Sequence, residues 1–140
     1  MKKICAILLS ISIVSCNLSI EKENAISEMA KSEEVANSFY TAIINHDYES
    51  LKRLSDTTLV SAFGINRLRY RDSILGKITR YEIMKVKTKT ENSFSSQTGE
   101  SVVTVNVKYE NKGGYYKERL LIKYYGDTLK IIGYDSEKAN

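Results

Sequence analysis

Thiols and imidazoles are nearly missing from this chain. Its 140 residues include two cysteines and one histidine, and neither proline nor tryptophan. Cys5 lies within an N-terminal apolar run and Cys16 stands just behind it. If the chain is cut at Cys16 and that thiol carries lipid, the body has no free thiol, no disulfide and no cysteine metal site. The lone His46 excludes the multi-histidine sets typical of zinc. Ser-His-Asp or Cys-His chemistry survives only if His46 itself serves it. No metal and no cofactor are expected. Long hydrophobic runs are lacking too. Ile4 to Val14 gives about 11 residues, interrupted by Ser10 and Ser12, where a bilayer span needs roughly 20.

That short run instead matches a secretion leader. Lys2 and Lys3 precede it, and Ile13-Val14-Ser15-Cys16 closes it, resembling the lipobox at which bacterial lipoproteins are cut and acylated. The small Ser15 suits the peptidase pocket before the modified thiol. The resemblance implies two or three acyl chains, palmitate among them, on Cys16. Each buried CH₂ contributes about 0.8 kcal/mol, and a single chain anchors only marginally, so several chains hold the protein in place. The expected address is the bacterial cell envelope, lipid-anchored, with the outer membrane as the expected bilayer.

Residues 1–15 are thus read as signal peptide, 16–32 as a lipidated tether and 33–140 as a single domain. The polar stretch NLSIEKENAISEMAKS from Asn17 to Ser32 is suited to a stalk. Removing Lys2 and Lys3 leaves 19 basic against 17 acidic groups, a net charge of +2. The distribution is uneven: Cys16 to Asp56 carries −4, and Thr57 to Asn140 carries +6. So small a net charge, together with export, excludes nucleic acid as the expected partner.

Apolar spacing predicts a helix over Glu33 to His46, since Val35, Phe39, Ala42, Ile43 and His46 fall on one stripe. Ser32 is its expected N-cap, and Asp47 caps a second short helix bearing Tyr48, Leu51 and Leu54. A third helix is expected between Ser61 and Leu75, ended by Gly76. From Thr79 the period changes to two. Strands are expected at Arg80 to Thr90, Ser101 to Glu110, Tyr115 to Tyr125 and Thr128 to Tyr134, with turns at Asn111 to Gly114 and Gly126-Asp127. Helices first and strands afterwards argue for α+β, with N-terminal helices packed on an antiparallel four-stranded meander. Met84, Val86, Thr88, Val103, Val105, Val107, Tyr109, Tyr116, Leu120, Ile122, Tyr124, Leu129 and Ile131 should face the helices. The opposite face should collect Lys85, Lys87, Lys89, Lys117, Arg119 and Lys123, a wet basic surface able to attract anions.

The segment VANSFYTAIINHDYESLKRLS, the helix stop at Leu75-Gly76, the meander and the closing GDTLKIIGYD together resemble small bacterial lipoproteins of the nuclear transport factor 2-like, cystatin-like superfamily. The resemblance covers about Glu33 to Tyr134. It implies a strongly curved sheet wrapped around helices as a cone, often with a pocket at the open end. That superfamily includes isomerases and dehydratases as well as noncatalytic binding modules, so the fold alone does not choose between them. The last strand here departs from the pattern, with Leu129-Lys130-Ile131 where a tryptophan is often found.

Within the inward row Tyr116, Glu118, Leu120, Ile122, Tyr124, one position carries a carboxylate. Deep burial of Glu118 beside Tyr109, Tyr116 or Tyr124 would make it a pocket acid or base. The plainer expectation places Glu118 at the rim, paired with a basic side chain, because charged groups are almost never fully buried unless paired. His46-Asp47 is read as a helix end beside a capping residue. Arg67, Arg69 and Arg71 are read as a solvated helix face, and Phe94 as an aromatic within the polar loop Glu91 to Glu100. The sequence therefore supports a noncatalytic envelope lipoprotein, monomeric or weakly dimeric, binding a small ligand or an envelope protein. The alternative is an isomerase or hydrolase using a pocket carboxylate and tyrosine.

The lipobox carries a direct test. Mass spectrometry of membrane-extracted protein should find Cys16 as an acylated mature N-terminus, and an unmodified start at another residue would overturn the reading.

Overall fold

Apolar residues alternating with charged ones build the sheet. The computed structural model describes residues 20–57, 59, 71–93 and 96–139. In it β2 (Ile78–Asn92), β3 (Gln97–Tyr109), β4 (Tyr116–Tyr125) and β5 (Thr128–Lys138) pair antiparallel in chain order. Val103, Val105, Val107, Tyr109, Leu120, Ile122, Tyr124 and Ile131 are buried, on the face that period-two alternation assigns to the core. Helices α1 (Ile26–Ile44) and α2 (Tyr48–Leu54) cover that face, giving an α+β fold with N-terminal helices on an antiparallel sheet.

The sheet has five strands among the described residues, where the sequence suggested four. The additional strand, β1 (Ile20–Glu23), pairs with β2 from Ile20↔Asn92 to Glu23↔Lys89. It comes from the stretch read as tether, where four exposed residues carry no burial pattern that a sequence could reveal. Asn24 then turns the chain into α1 in a left-handed conformation, φ 50°, which asparagine tolerates better than most residues. Its N–H donates to the Thr88 carbonyl at 2.9 Å, and its Oδ1 accepts from the Thr88 N–H at 3.1 Å.

Helix α1 consequently starts at Ile26 rather than Glu33, and Ser32 lies inside it, fully buried, instead of capping it. The expected stripe of Phe39, Ala42 and Ile43 is buried, with Val35 packed at its margin. The stripe continues back through Ala36 and Ser32 to Glu28. Hydrophobic periodicity misses that extension because two of its three positions are polar. His46, with φ 55°, ends this segment with its side chain exposed, and Asp47 caps α2 by accepting from the Ser50 N–H at 3.0 Å. Residues 71–75 are helical, and Gly76, at φ 78°, stops them. The rest of the expected third helix, with Arg67 and Arg69, lies outside the described residues, as do Cys16 and Phe94.

Of three register shifts in the described sheet, two overturn expected faces. The pairings Ile83↔Val105 and Lys85↔Thr104 leave Met84 as an extra residue on β2, and Met84 is exposed rather than facing the helices. Tyr81 and Ile83 take the inner positions instead. On β5, Leu121↔Gly133 and Ile122↔Ile131 leave Ile132 extra. That shift sets Tyr134 opposite Leu120 and Ser136 opposite Glu118, whereas strict alternation from Ile131 would point both outward.

The sheet is neither closed nor strongly curled, in contrast to the cone that the family resemblance implies. Closure needs the first and last strands to meet. Here the free side of β5 is occupied by the chain leaving α2, where Ser55 bridges Ile131 and the Asp56 N–H donates to the Ile131 carbonyl at 2.8 Å.

Gly99 provides a test of the β2–β3 register. A Cβ there, at φ 153°, would stand 2.3 Å from the Lys89 carbonyl oxygen and 2.7 Å from the Thr90 Cα. Gly99→Ala should therefore destabilise by about 1–3 kcal/mol. Gly113→Ala, with nothing within 4 Å of its Cβ, should change the urea midpoint little.

Candidate functional site: a buried carboxylate

Glu118, the third residue of β4, projects from the core face and is 0% exposed. It is buried rather than at an exposed rim, although it stands near the start of β4 and has the expected basic neighbour, Arg71. Its row across the sheet is Ile83, Val105, Glu118, Ser136, so the carboxylate lies beneath α1 between Val105 and the polar Ser136 of β5. An isolated carboxylate there would cost several kcal/mol in lost hydration, and the surroundings supply donors instead.

The Tyr40 hydroxyl, from α1, donates to Glu118 Oε2 at 2.7 Å. The Tyr109 hydroxyl, from β3, donates to Oε1, with Ser136 Oγ at 3.4 Å from the same oxygen. Arg71 Nη1 approaches Oε1 at 3.9 Å and donates to the Tyr134 hydroxyl at 2.6 Å. The Arg71 guanidinium also stands 5.5 Å from the ring centroids of both Tyr109 and Tyr134, close enough for cation–π attraction. Tyr81 stacks on Tyr40 at 4.9 Å and donates to Asn37 Oδ1 at 3.2 Å, while Tyr116 meets Tyr109 edge-on at 5.5 Å.

Burial and then the negative charge of Glu118 push the Tyr40 hydroxyl far above its ordinary value. Burial raises Tyr109 and Tyr134 as well. Burial works against the Arg71 cation, but negative charge around it outweighs burial, from Tyr134 and Tyr109 once they ionise at high pH and from Glu118 and Asp72 below that, so its proton is held more tightly than usual. The tyrosines therefore remain O–H donors and Arg71 remains a cation.

Of the nominated pocket residues, the structure brings together Glu118, Tyr109 and Tyr116, and it separates Tyr124. Six residues along β4, about 20 Å at strand rise, the Tyr124 hydroxyl donates to the Glu28 carbonyl at 2.8 Å. It also lies 2.7 Å from Ser32 Oγ, itself 2.7 Å from Ser101 Oγ. Sequence reasoning missed Tyr40, Tyr134 and Ser136, and it read Arg71 as part of a solvated helix face, whereas its side chain is only 12% exposed because it turns in to Glu118 and Tyr134. Tyr40 had a legible signal, four residues after Ala36 on the buried side of the helix. Tyr134 and Ser136 had none, because a bulge decides their face.

Open space lies elsewhere. A groove of about 750 Å³ runs between α1 and α2, bordered by Glu33, Asn37, Thr41, Asn45, Ser50 and Arg53. A smaller one of about 350 Å³ lies between α1 and the start of β5. Glu118 lines neither. Among the described residues no group of three or more His, Cys, Asp or Glu side chains is placed to hold a metal, and no helix is long and apolar enough to cross a membrane.

Lys85, Lys87, Lys89, Lys117 and Arg119 are exposed on the outer sheet face, with Lys123 half-buried among them. Acids interrupt them. Lys89, Glu100, Lys123 and Lys130 form one cross-strand row, and Lys85, Thr104, Arg119 and Asp135 another. Lys89 pairs with Glu21, Arg119 with Asp135, and Lys117 with Glu137 at 3.9 Å. The face is a mixed-charge surface in which the lysines also discourage edge pairing.

Three comparisons with known proteins found nothing to set beside this geometry: no family model matches the chain, and neither does any curated protein or solved structure.

The cluster gives two measurable consequences. Tyr40→Phe leaves Oε2 without its buried donor and should cost about 1–3 kcal/mol, with coupling to Glu118→Leu of about 0.5–3 kcal/mol in a double-mutant cycle. Alkaline titration supplies the other. Tyrosines ionise near pH 10 when unfolded and later when folded, so above pH 10 the native state binds more protons and stability falls as pH rises. Three such groups give a slope of up to about 4 kcal/mol per pH unit, and Tyr40→Phe should remove about a third of it.

Proposed function

We propose that this chain is a noncatalytic lipoprotein of the bacterial envelope, anchored through acylated Cys16 and acting as a binding module for a small ligand or a partner protein. The observation that carries the noncatalytic reading is the full occupation of Glu118. Its two oxygens accept from Tyr40 and Tyr109 at 0% exposure, whereas an acid or base must reach the proton that it moves. The leader and lipobox of residues 1–16 support the anchor. The element order, helices followed by an antiparallel meander, supports kinship with the nuclear transport factor 2-like superfamily in an open rather than cone-shaped form.

The groove between α1 and α2 is the binding surface in this reading. Its wall mixes amides, hydroxyls and acids with the aliphatic side chains of Ala30, Ala42 and Leu54, which suits a ligand with both hydrogen-bonding and apolar parts. The isomerase or hydrolase alternative draws support from one feature, the contact of Glu118 with two tyrosine hydroxyls. It also requires the carboxylate to be uncovered.

Photo-crosslinking in intact cells tests the reading. A photoreactive residue at Thr41, in the groove, should give a discrete adduct that a probe at Lys108 on the outer sheet face does not. Cys16→Ser, which removes the anchor, should abolish the adduct. Equal labelling from both positions, or none from the groove, would overturn it.

A further inference from the structure

β1 shortens the leash. Had the chain been free as far as Ser32, the folded body could stand well away from the bilayer in any orientation. Because Ile20 is already paired with Asn92 of β2, only four peptide steps separate it from Cys16. Whatever their path, four steps span at most about 14 Å.

The register identifies the end of the sheet held there. Ile20 pairs with Asn92, Asn92 with Gln97, Thr98 with Tyr125, and Tyr125 with Thr128. The start of β1, the β2–β3 connection and the β4–β5 turn are therefore neighbours. Helix α1 begins at the same end, since Gln97 Nε2 donates to Glu28 Oε1 at 3.1 Å. The β3–β4 turn at Asn111 to Gly114 lies at the other end of β3, whose 13 residues extend about 40 Å. The near end also exposes large apolar side chains: Ile20 is 52% exposed, Ile26 87% and Tyr125 47%. Lys123 Nζ stands 5.4 Å from the Tyr125 ring centroid. Tyrosine favours the headgroup level, where its ring and hydroxyl are both accommodated.

We propose that the end of the domain bearing Ile20, Ile26 and Tyr125 is a membrane-facing surface, held against the headgroups of the bilayer that anchors Cys16, with the Asn111 to Gly114 turn pointing away. The α1–α2 groove then opens to the side of this axis rather than into the membrane. This orientation rests on the lipid anchor proposed above, while its direction comes from the β1–β2 register.

The cysteine-free body makes the test direct. Mature, acylated full-length protein carrying Asp127→Cys or Gly113→Cys has one free thiol for a fluorophore. It is reconstituted in phosphatidylcholine vesicles containing a headgroup-nitroxide lipid. Quenching should be several-fold stronger at position 127 than at position 113. Inserting about twelve Gly and Ser residues between Leu18 and Ser19 adds a flexible reach of about 20 Å and should largely level the two signals without changing the unfolding midpoint. Equal or reversed quenching in the original chain would overturn the orientation, and so would a gradient indifferent to the insertion. The mass of the N-terminal peptide separates the two levels of failure. An unacylated Cys16 removes the anchor and this inference together, whereas an acylated Cys16 without a quenching gradient removes this inference alone.

Discussion

One carboxylate organises the core. Glu118 is wholly removed from water on the core face of the sheet, a position that a sheet under a helix would ordinarily fill with valine or leucine. The loss of hydration is tolerable only if both oxygens keep good partners. Those partners come from four separated parts of the chain: Tyr40 on α1, Tyr109 on β3, Ser136 on β5, and Arg71 in the helical segment before β2. Each must be in place for the others to be worth burying. Hydrophobic contact tolerates sliding and repacking, but a hydrogen bond in a low-dielectric interior does not. Glu118 thus sets the rotation of α1 about its axis and the register of β5 against β4.

A second polar contact fixes the other end of the helix. Ser32, Ser101, Tyr124 and the Glu28 carbonyl form a buried chain of hydroxyls, and Gln97 reaches the Glu28 side chain. Glu28 itself titrates below the ordinary glutamate range, chiefly because the Ser27 hydroxyl donates to it. Helix α1 is therefore fastened to the sheet at two points along its length, with Phe39, Ala42 and Ile43 supplying the apolar contact. The arrangement leaves the opposite flank of α1, facing α2, as an open groove. Glu118, Tyr40 and Tyr109 meet one another inside the core, and the α1–α2 groove lies apart from them.

The outer sheet face shows why a list of lysines is not yet a potential. Lys85, Lys87, Lys89, Lys117, Arg119 and Lys123 do share that surface, as alternation requires. Glu21, Glu100, Asp135 and Glu137 come to lie among them only when β1 and β5 are laid beside their neighbours. At physiological salt, exposed charges interact over about 8 Å, so interleaved acids cancel much of the field that the lysines would project. A net charge computed along the chain cannot register that cancellation.

The sequence by itself determined the α+β order, four of the five described strands, the inward rows of β3 and β4, and the Asp47 cap. These are local patterns, each readable from spacing within a dozen residues. It also placed Glu118 on the core face while favouring the rim for it, because no local pattern identifies partners 78 and 47 residues away. Tertiary structure alone decided that β1 joins the sheet, since four exposed residues have no apolar period and gain their order from β2. It alone decided where Met84 and Tyr134 point, because a bulge shifts the period by one residue and leaves no mark on composition. It decided the fate of the polar residues Glu28 and Ser32 as well. Whether such a side chain is a solvated surface group or a buried contact depends on the hydroxyl that meets it, and that meeting is a property of the packed sheet and not of the helix.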